Sequence, residues 1–382
     1  MKKIITIFIF LTSGIYSHAQ PISIVSYGAI IGSSFSNANS NATINTNAIQ
    51  TAINNNPGKR ILIPAGYYVI NASINISNNI ELVGEGKGIT NLQALNCDGV
   101  KILIDQVMLK DFSLIGSSNN STVYKGINIG SSNRINFIDI QNIRIQSFII
   151  GIQMLNGWDV KIGNCDLDVN ANLPQIDVAI KIIGQSVNNM ISNCHIIANS
   201  VGIWSLSDPL NVNSKPEGIM ITNCLISLAK NSILAEATLS IHVSNCILDL
   251  NRGYAICFRN SSGGLVTNNW IYSGVTSGSP IDQAISIESS MNCNISNNNI
   301  ITATGARTIG ITAYSNNIAI TGNQIEIDNG AGYVAVFDNT TYAIILSNNI
   351  LKRKILVNQP TSFINNLSTN YIVSNNLNIT VP

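Results

Sequence analysis

Ile191-Ser192-Asn193-Cys194-His195-Ile196 decides how this chain folds, because it does not occur once. The same pattern stands at Ile162-Gly163-Asn164-Cys165-Asp166-Leu167, Ile221-Thr222-Asn223-Cys224-Leu225-Ile226 and Val243-Ser244-Asn245-Cys246-Ile247-Leu248. Further on, asparagine replaces the cysteine, as in Ile295-Ser296-Asn297-Asn298-Asn299-Ile300 and Leu346-Ser347-Asn348-Asn349-Ile350-Leu351. The fourth residue marks nine units, at 165, 194, 224, 246, 269, 298, 323, 349 and 376. Self-similarity at a spacing in the twenties, with loops of variable length, is the signature of a solenoid.

Each unit reads apolar–polar–Asn–(Cys/Asn)–x–apolar. Alternation on both sides of a two-residue polar break describes two short strands meeting at a tight corner. Asparagine suits the corner because its short side chain tolerates left-handed backbone. Stacked coil on coil, these corner asparagines are expected to hydrogen-bond in a ladder. No helical stripe persists, and β-branched isoleucine dominates. The expected fold is all-β: a single-stranded right-handed parallel β-helix with a short N-terminal capping helix.

Outward from the repeat, residues 1–19 read as a secretory signal. Lys2-Lys3 is the charged region, Ile4 to Leu11 the apolar core and Ser17-His18-Ala19 the cleavage site. The apolar run is too short for a membrane span, so a secreted or periplasmic protein is expected. Residues 20–70 would form the cap and first strands, and 71–382 the β-helix. In the cap, Asn47 to Asn54 is expected as the helix, with Ile49 and Ile53 facing the first coil. Charged residues make up 10% of the chain and the net charge is +1, which argues against nucleic acid as a partner.

Seven cysteines in a secreted chain raise the question of disulfides. Cys165, Cys194, Cys224 and Cys246 share one position of the repeat. Parallel strands lie about 4.8 Å apart, so these thiols form a column of small apolar side chains rather than a tetrahedral metal site. Cys97, Cys257 and Cys293 have no place in that scheme.

The order Tyr27-Gly28-Ala29, Ala48-Ile49-Gln50, Ala52-Ile53 and Ile61-Leu62-Ile63-Pro64-Ala65-Gly66-Tyr67-Tyr68 resembles the N-terminal region of the pectate-lyase-like superfamily. This pectin-lyase fold group includes rhamnogalacturonase, epimerase and tailspike relatives. With the repeats, the resemblance covers nearly the whole mature chain. It implies a fold but not a function, since lyases, hydrolases, epimerases and non-catalytic binders share it. One departure stands out: Ile30 to Asn47, where the family carries an acidic loop, contains no acid. The clustered aspartates, Gly-His-Gly and Arg-x-Lys of the family's hydrolases are missing too. The calcium-binding acids of its lyases find no counterpart beyond Asp166 with Asp168, so no metal or other cofactor is expected.

Register within the repeat offers a second route to a site. If Ile233, Ile256 and Ile285 point inward, residues one and three later point outward. The first outward column then reads Gln153, Lys181, Trp204, Leu234, Cys257, Ser286 and Thr312. The second reads Leu155, Ile183, Leu206, Glu236, Arg259, Glu288 and Tyr314. Glu236 and Glu288, two coils apart, fit the spacing of an inverting glycosidase pair, with Arg259 between them. Trp204, Tyr314, Lys181 and His195 are the candidate substrate-binding residues. Lys181, His195 and Arg259 would be the basic groups of a lyase. A Glu-Arg-Glu salt-bridge ladder explains the same column without chemistry.

The sequence therefore supports two readings. One is a secreted enzyme cleaving an extended polysaccharide by hydrolysis or β-elimination. The other is a non-catalytic glycan-binding or surface-structural β-helix. It leaves open whether the protein is a monomer or a trimer.

Overall fold

At the corner of each repeat unit the third-position asparagine sits in the left-handed region, with φ between 53° and 57° at Asn164, Asn193, Asn223, Asn245, Asn268, Asn297, Asn348 and Asn375. Most L-residues lose about 1–2 kcal/mol there, and asparagine and glycine lose least. Gly322 takes the place in the one variant unit. This single residue turns the chain from one strand into the next, and it does so on nine coils.

A computed structural model describes residues 20–117, 123–130, 133–169, 176–274, 283–302, 307–312, 314–327, 335–337, 341–354, 364–366 and 370–381. The secretory signal expected over 1–19 lies outside them. Three parallel sheets wind into a right-handed solenoid. Face 1 carries the strand before the asparagine corner, such as Met190–Ser192. Face 2 carries the strand after it, such as His195–Ile197, and face 3 the next, such as Val201–Leu206. Among the described residues the faces have fourteen, thirteen and twelve strands respectively.

Isoleucine fills the inside. Ile180, Ile203, Ile233, Ile256, Ile285 and Ile309 pair coil to coil on face 3, and all are fully buried. Each such side chain contributes about 1.5–3 kcal/mol on burial, and its β-branch suits the pleat.

The hydrogen-bonded ladder is present but displaced by one residue from the expected position. The left-handed corner asparagines face solvent. The buried fourth-position residues make the ladder instead. Asn269 Nδ2 donates to Asn298 Oδ1 (2.9 Å), Asn298 Nδ2 to Asn323 Oδ1 (2.9 Å), and Asn323 Nδ2 to Asn349 Oδ1 (3.0 Å). Each Oδ1 also accepts the preceding coil's backbone N–H, as Asn298 does from Asn269 (3.0 Å). The displacement has a simple cause: the residue with positive φ turns its side chain out, and its neighbour turns in.

The cysteines occupy this same inner column, as expected. Cys165, Cys194, Cys224 and Cys246 are buried free thiols. Each donates to a carbonyl of its own coil and to one of the coil before, as Cys194 does to Ser192 (3.3 Å) and Ile162 (3.8 Å). The column thus changes from thiol to amide between Cys246 and Asn269, where Cys246 N–H donates to Asn269 Oδ1 (2.9 Å). Cys293 is also buried, on the inside of face 1 opposite Ile318.

A second left-handed column stands where the chain enters face 1. It runs Gln106, Phe137, Asp159, Asn188, Gly218, Ser240, Gly263, Asn292, Asn317 and Ala343, with φ from 52° to 72°.

The cap helix covers Ile49 and Ile53 as expected, but helical structure begins earlier. It runs from Phe35–Ala38 through a tight turn at Asn39–Asn41 into Ala42–Asn55. Ser34 caps its start by accepting from Asn37 N (3.3 Å). A run rich in Ser and Asn reads as loop, yet Ala38, Ala42, Ala48 and Ala52 give it a small apolar stripe against the first coil. Gln50 closes the open edge of face 3. Its amide accepts from Asn75 N (2.9 Å) and donates to Asn75 O (2.8 Å), replacing a missing strand.

Asn298→Ala should therefore cost about 1–3 kcal/mol, because it leaves the buried backbone N–H of Asn269 without an acceptor and removes one of the bonds of its side-chain amide. Asn297→Gly, one residue away and exposed, should change stability by less than about 0.5 kcal/mol. Urea denaturation of both variants checks the assignment, and equal losses would contradict it.

Candidate functional site

Face 3 is where the outward columns of the repeat bring charged and aromatic side chains together. The strands Val178–Ile183, Val201–Leu206, Asn231–Glu236, Ile256–Arg259, Gln283–Glu288 and Arg307–Thr312 are consecutive there. Their pairing puts Leu206, Glu236, Arg259 and Glu288 in one line, and Lys181, Trp204, Leu234, Cys257 and Ser286 in the next. Both lines match the sequence expectation.

The last coil does not. Glu288 pairs with Thr312 and Ser286 with Gly310, so Thr312 belongs to the second column and Tyr314 to neither. Tyr314 instead stands in the turn beyond the strand, left-handed (φ 62°) and 71% exposed. His195 stands apart from both columns. His195 lies on face 2, between Asp166 and Leu225, and shares no sheet with Lys181 or Arg259. Asp166, its partner on the preceding coil, is engaged by Lys87 (2.9 Å) and lies 3.8 Å from Arg144. With Asp168 it belongs to face 2 as well.

Arg259 is the hub of the site. Its Nη1 donates to Glu236 Oε1 (2.7 Å) and its Nε to Glu288 Oε2 (2.8 Å). The other carboxylate oxygens are held too. Trp204 Nε1 donates to Glu236 Oε2 (2.9 Å), and Ser286 Oγ to Glu288 Oε1 (2.9 Å). The three charged side chains are only partly exposed, so the pairs are less screened than ordinary surface ones. The Arg259 guanidinium is held above its ordinary range, chiefly by its hydrogen bond to Glu288.

Trp204 is positioned by packing. An apolar cluster of Val178, Val201, Leu234 and Cys257 lies on the outside of face 3, and Trp204 and Tyr254 pack against it. Lys181 Nζ sits 4.9 Å from the Trp204 ring centroid, a cation–π distance. Burial, and then the charge of Lys125, lower the Lys181 ammonium from its ordinary value. In the loop that enters face 3 before Ile256, Arg252 Nη2 donates to Asn199 O (2.5 Å).

Sequence reasoning overlooked two supports of this site. Ser286 was legible, since it stands two residues before Glu288 on the same side of one strand. The outer cluster was not, because Val178 and Val201 share the parity of inward residues. Cys257, unexplained by the repeat, is part of that cluster. Its thiol lies 3.9 Å from Glu288 Oε1 and is pushed up to about 12, first by burial and then by the Glu288 charge.

A family model described as rhamnogalacturonase A/epimerase, pectate lyase-like, matches residues 35–255. The chain belongs to this family. It resembles in fold the A-module of the mannuronan C-5 epimerase AlgE6 of Azotobacter vinelandii, with 15% identity and a TM-score of 0.69 over 94% of this chain and 99% of that one. It likewise resembles the DFA-IIIase of Arthrobacter chlorophenolicus A6 (13% identity, TM-score 0.67, 85% and 94% covered). A third structure is a double mutant of the tailspike protein of E. coli bacteriophage HK620 (12% identity, TM-score 0.63, 91% and 67% covered). No curated protein matches the chain in sequence. At these identities the likeness is one of fold, and the chemistry of this pectate-lyase-like chain rests on its own residues.

Of the seven cysteines, only Cys97 is more than slightly exposed. A charged thiol reagent should therefore label at most one cysteine in the native protein near pH 8, and seven after unfolding without reductant. Fewer than seven in the unfolded chain would reveal disulfides.

Proposed function

We propose that this chain is a secreted, polysaccharide-active enzyme that cleaves an extended glycan lying along face 3, with Glu236 and Glu288 as its carboxylate pair. The observation that supports this most is the Glu236–Arg259–Glu288 arrangement on three consecutive coils, beside a Trp204 fixed by packing and hydrogen bonding. Two coils separate the glutamate backbones by about 9–10 Å. Side chains leaning toward one another from that distance fall within the range of about 6.5–9.5 Å used by inverting glycosidases. A sugar entering the face would take over one arm of Arg259. The carboxylate released by that exchange can take up a proton from solvent and, as the acid, pass it to the leaving oxygen, while its ionised partner takes a proton from the attacking water.

Hydrolysis fits better than elimination. Elimination needs a base and a charge-stabilising cation at one centre. Lys181, the group best disposed to be a base, stands three coils from Arg259, about 14 Å away at the strand spacing. Lys181 and Trp204 instead suit a neighbouring sugar subsite. His195 belongs to another face and takes no part.

One observation favours the non-catalytic alternative, a glycan-binding β-helix. All four carboxylate oxygens of Glu236 and Glu288 already accept hydrogen bonds, as expected of a finished structural ladder. A panel of soluble polysaccharides decides between the readings, with reducing ends and the ultraviolet absorbance of unsaturated uronates both measured. Hydrolysis predicts new reducing ends without the chromophore. Glu236→Gln and Glu288→Gln should each abolish turnover and cost under about 1 kcal/mol of stability. Full activity in both variants would refute the assignment, and binding of a glycan without any cleavage would leave the alternative standing.

A further inference from the structure

The solenoid has a second surface with the makings of a site, on face 1 near the cap and away from Arg259. Two joined clefts open there, of about 340 and 380 Å³. Phe137 and Asp139 line both. Arg60, Glu81 and Met108 line the first, and Asp159 and Lys161 the second.

Phe137 is the feature that needs explaining. It stands in the left-handed column where the chain enters face 1, at φ 58°. Its counterparts on neighbouring coils are Gln106, Asp159, Asn188, Gly218 and Ser240, small or polar residues of the kind such a position accepts. A bulky aromatic there is a genuine outlier. Nor does Phe137 repay the strain by burial, since its side chain is 59% exposed. The surrounding structure fixes it firmly. Its N–H donates to Trp158 O (3.0 Å), and the preceding Asn136 is clamped by both oxygens of Asp105 (2.8 and 2.9 Å). Strain kept at an exposed position and held from all sides is characteristic of binding sites.

We infer that Phe137 is the platform of a second glycan-binding site, specific for uncharged sugar. The charge around it selects the ligand. Lys59, Arg60 and Lys161 are balanced by Glu81, Asp139 and Asp159 across the two clefts. A polyanion would meet three carboxylates, and a cation three basic groups. A neutral polyol meets donors and acceptors in equal measure, many of them charged and therefore strong. Arg60 and Glu81 are paired at 2.6 Å, and Gln141 Nε2 steadies Asp139 Oδ1 at 2.8 Å, so the polar groups are held in place. An exposed aromatic ring beside them offers the apolar face that a sugar's C–H groups require. This site does not depend on catalysis at face 3.

The test compares wild type, Phe137→Asn and Trp270→Ala, the last an exposed ring on face 2 outside both proposed sites, each as the full chain. Affinity electrophoresis would use soluble xylan, β-glucan, mannan and inulin, with polygalacturonate as the acidic comparison. At least one neutral glycan should retard the wild type, and Phe137→Asn should weaken that binding at least tenfold. Because asparagine relieves the left-handed strain, the same variant should melt at the wild-type temperature or about 2 °C above it. Trp270→Ala should keep the neutral-glycan binding within about twofold. The inference is overturned if no neutral glycan binds, if Phe137→Asn binds as wild type, or if it melts several degrees lower. An equal loss of binding in Trp270→Ala would also overturn it, while leaving the face 3 proposal intact.

Discussion

Everything on the surface of this protein depends on a hydrogen bond made inside it, between the buried side chain at each corner and the coils on either side. The corner turns because one residue accepts left-handed backbone. The next residue is then driven inward, where its polar atoms meet no water. Asn298 accepts from Asn269 on one side and donates to Asn323 on the other, and its amide also reaches the carbonyls of Val266 and Ser296. A buried amide left without partners costs about 1–3 kcal/mol, so adjacent coils have little freedom to slip. The thiols meet the same demand more weakly, through long contacts to carbonyls. Outward residues inherit this register. Glu236, Arg259 and Glu288 meet because their corners have already been aligned.

This dependence explains what the sequence made legible and what it hid. A repeat unit names its corner directly, so the faces, the inward isoleucines and most of both outward columns follow by counting. Counting fails where the pattern is degenerate. Ile309-Gly310-Ile311 offers two inward isoleucines two residues apart, and a strand looks the same to itself after a shift of two. Counting from Ile311 instead of Ile309 puts Tyr314 in a column whose member on that coil is Thr312. A shift of one residue displaced the ladder from Asn297 to Asn298, since both asparagines stand at the corner and only the sign of φ tells which turns inward. The earlier start of the cap helix was hidden for another reason. Its Ser and Asn residues have weak helix propensity, and packing of small alanines on the first coil overrides it.

The electrostatics follow from scarcity. With charged residues at 10% of the chain, three on successive coils of one face are conspicuous. Their arrangement is also complete, with donors on every carboxylate oxygen. Two glutamates without Arg259 would set like charges two coils apart on a half-buried face, so the arginine is the member that makes the other two tolerable. That argument holds for a ladder and for a catalytic centre alike. What separates them is Trp204, whose ring is carried on the outer apolar cluster while its indole N–H is spent on Glu236. A ladder has no use for an aromatic shelf at its edge, whereas a sugar-binding face does.

A solenoid carries its own controls, because every position is repeated under nearly the same backbone constraints. Asparagine, glycine, serine or aspartate in a left-handed corner needs no account beyond backbone tolerance. Phe137 and Tyr314 do, since each puts a large ring where the neighbouring coils of its corner show how little is needed to make the turn. Both rings are well exposed, so neither is justified by the core. They stand on different corners, Phe137 before face 1 and Tyr314 after face 3. The first adjoins the charged clefts near the cap, and the second follows the coil that pairs with Glu288. Residues that depart from the local rule of a repeat, at a cost the fold does not recover, mark the places where something other than folding shaped the sequence.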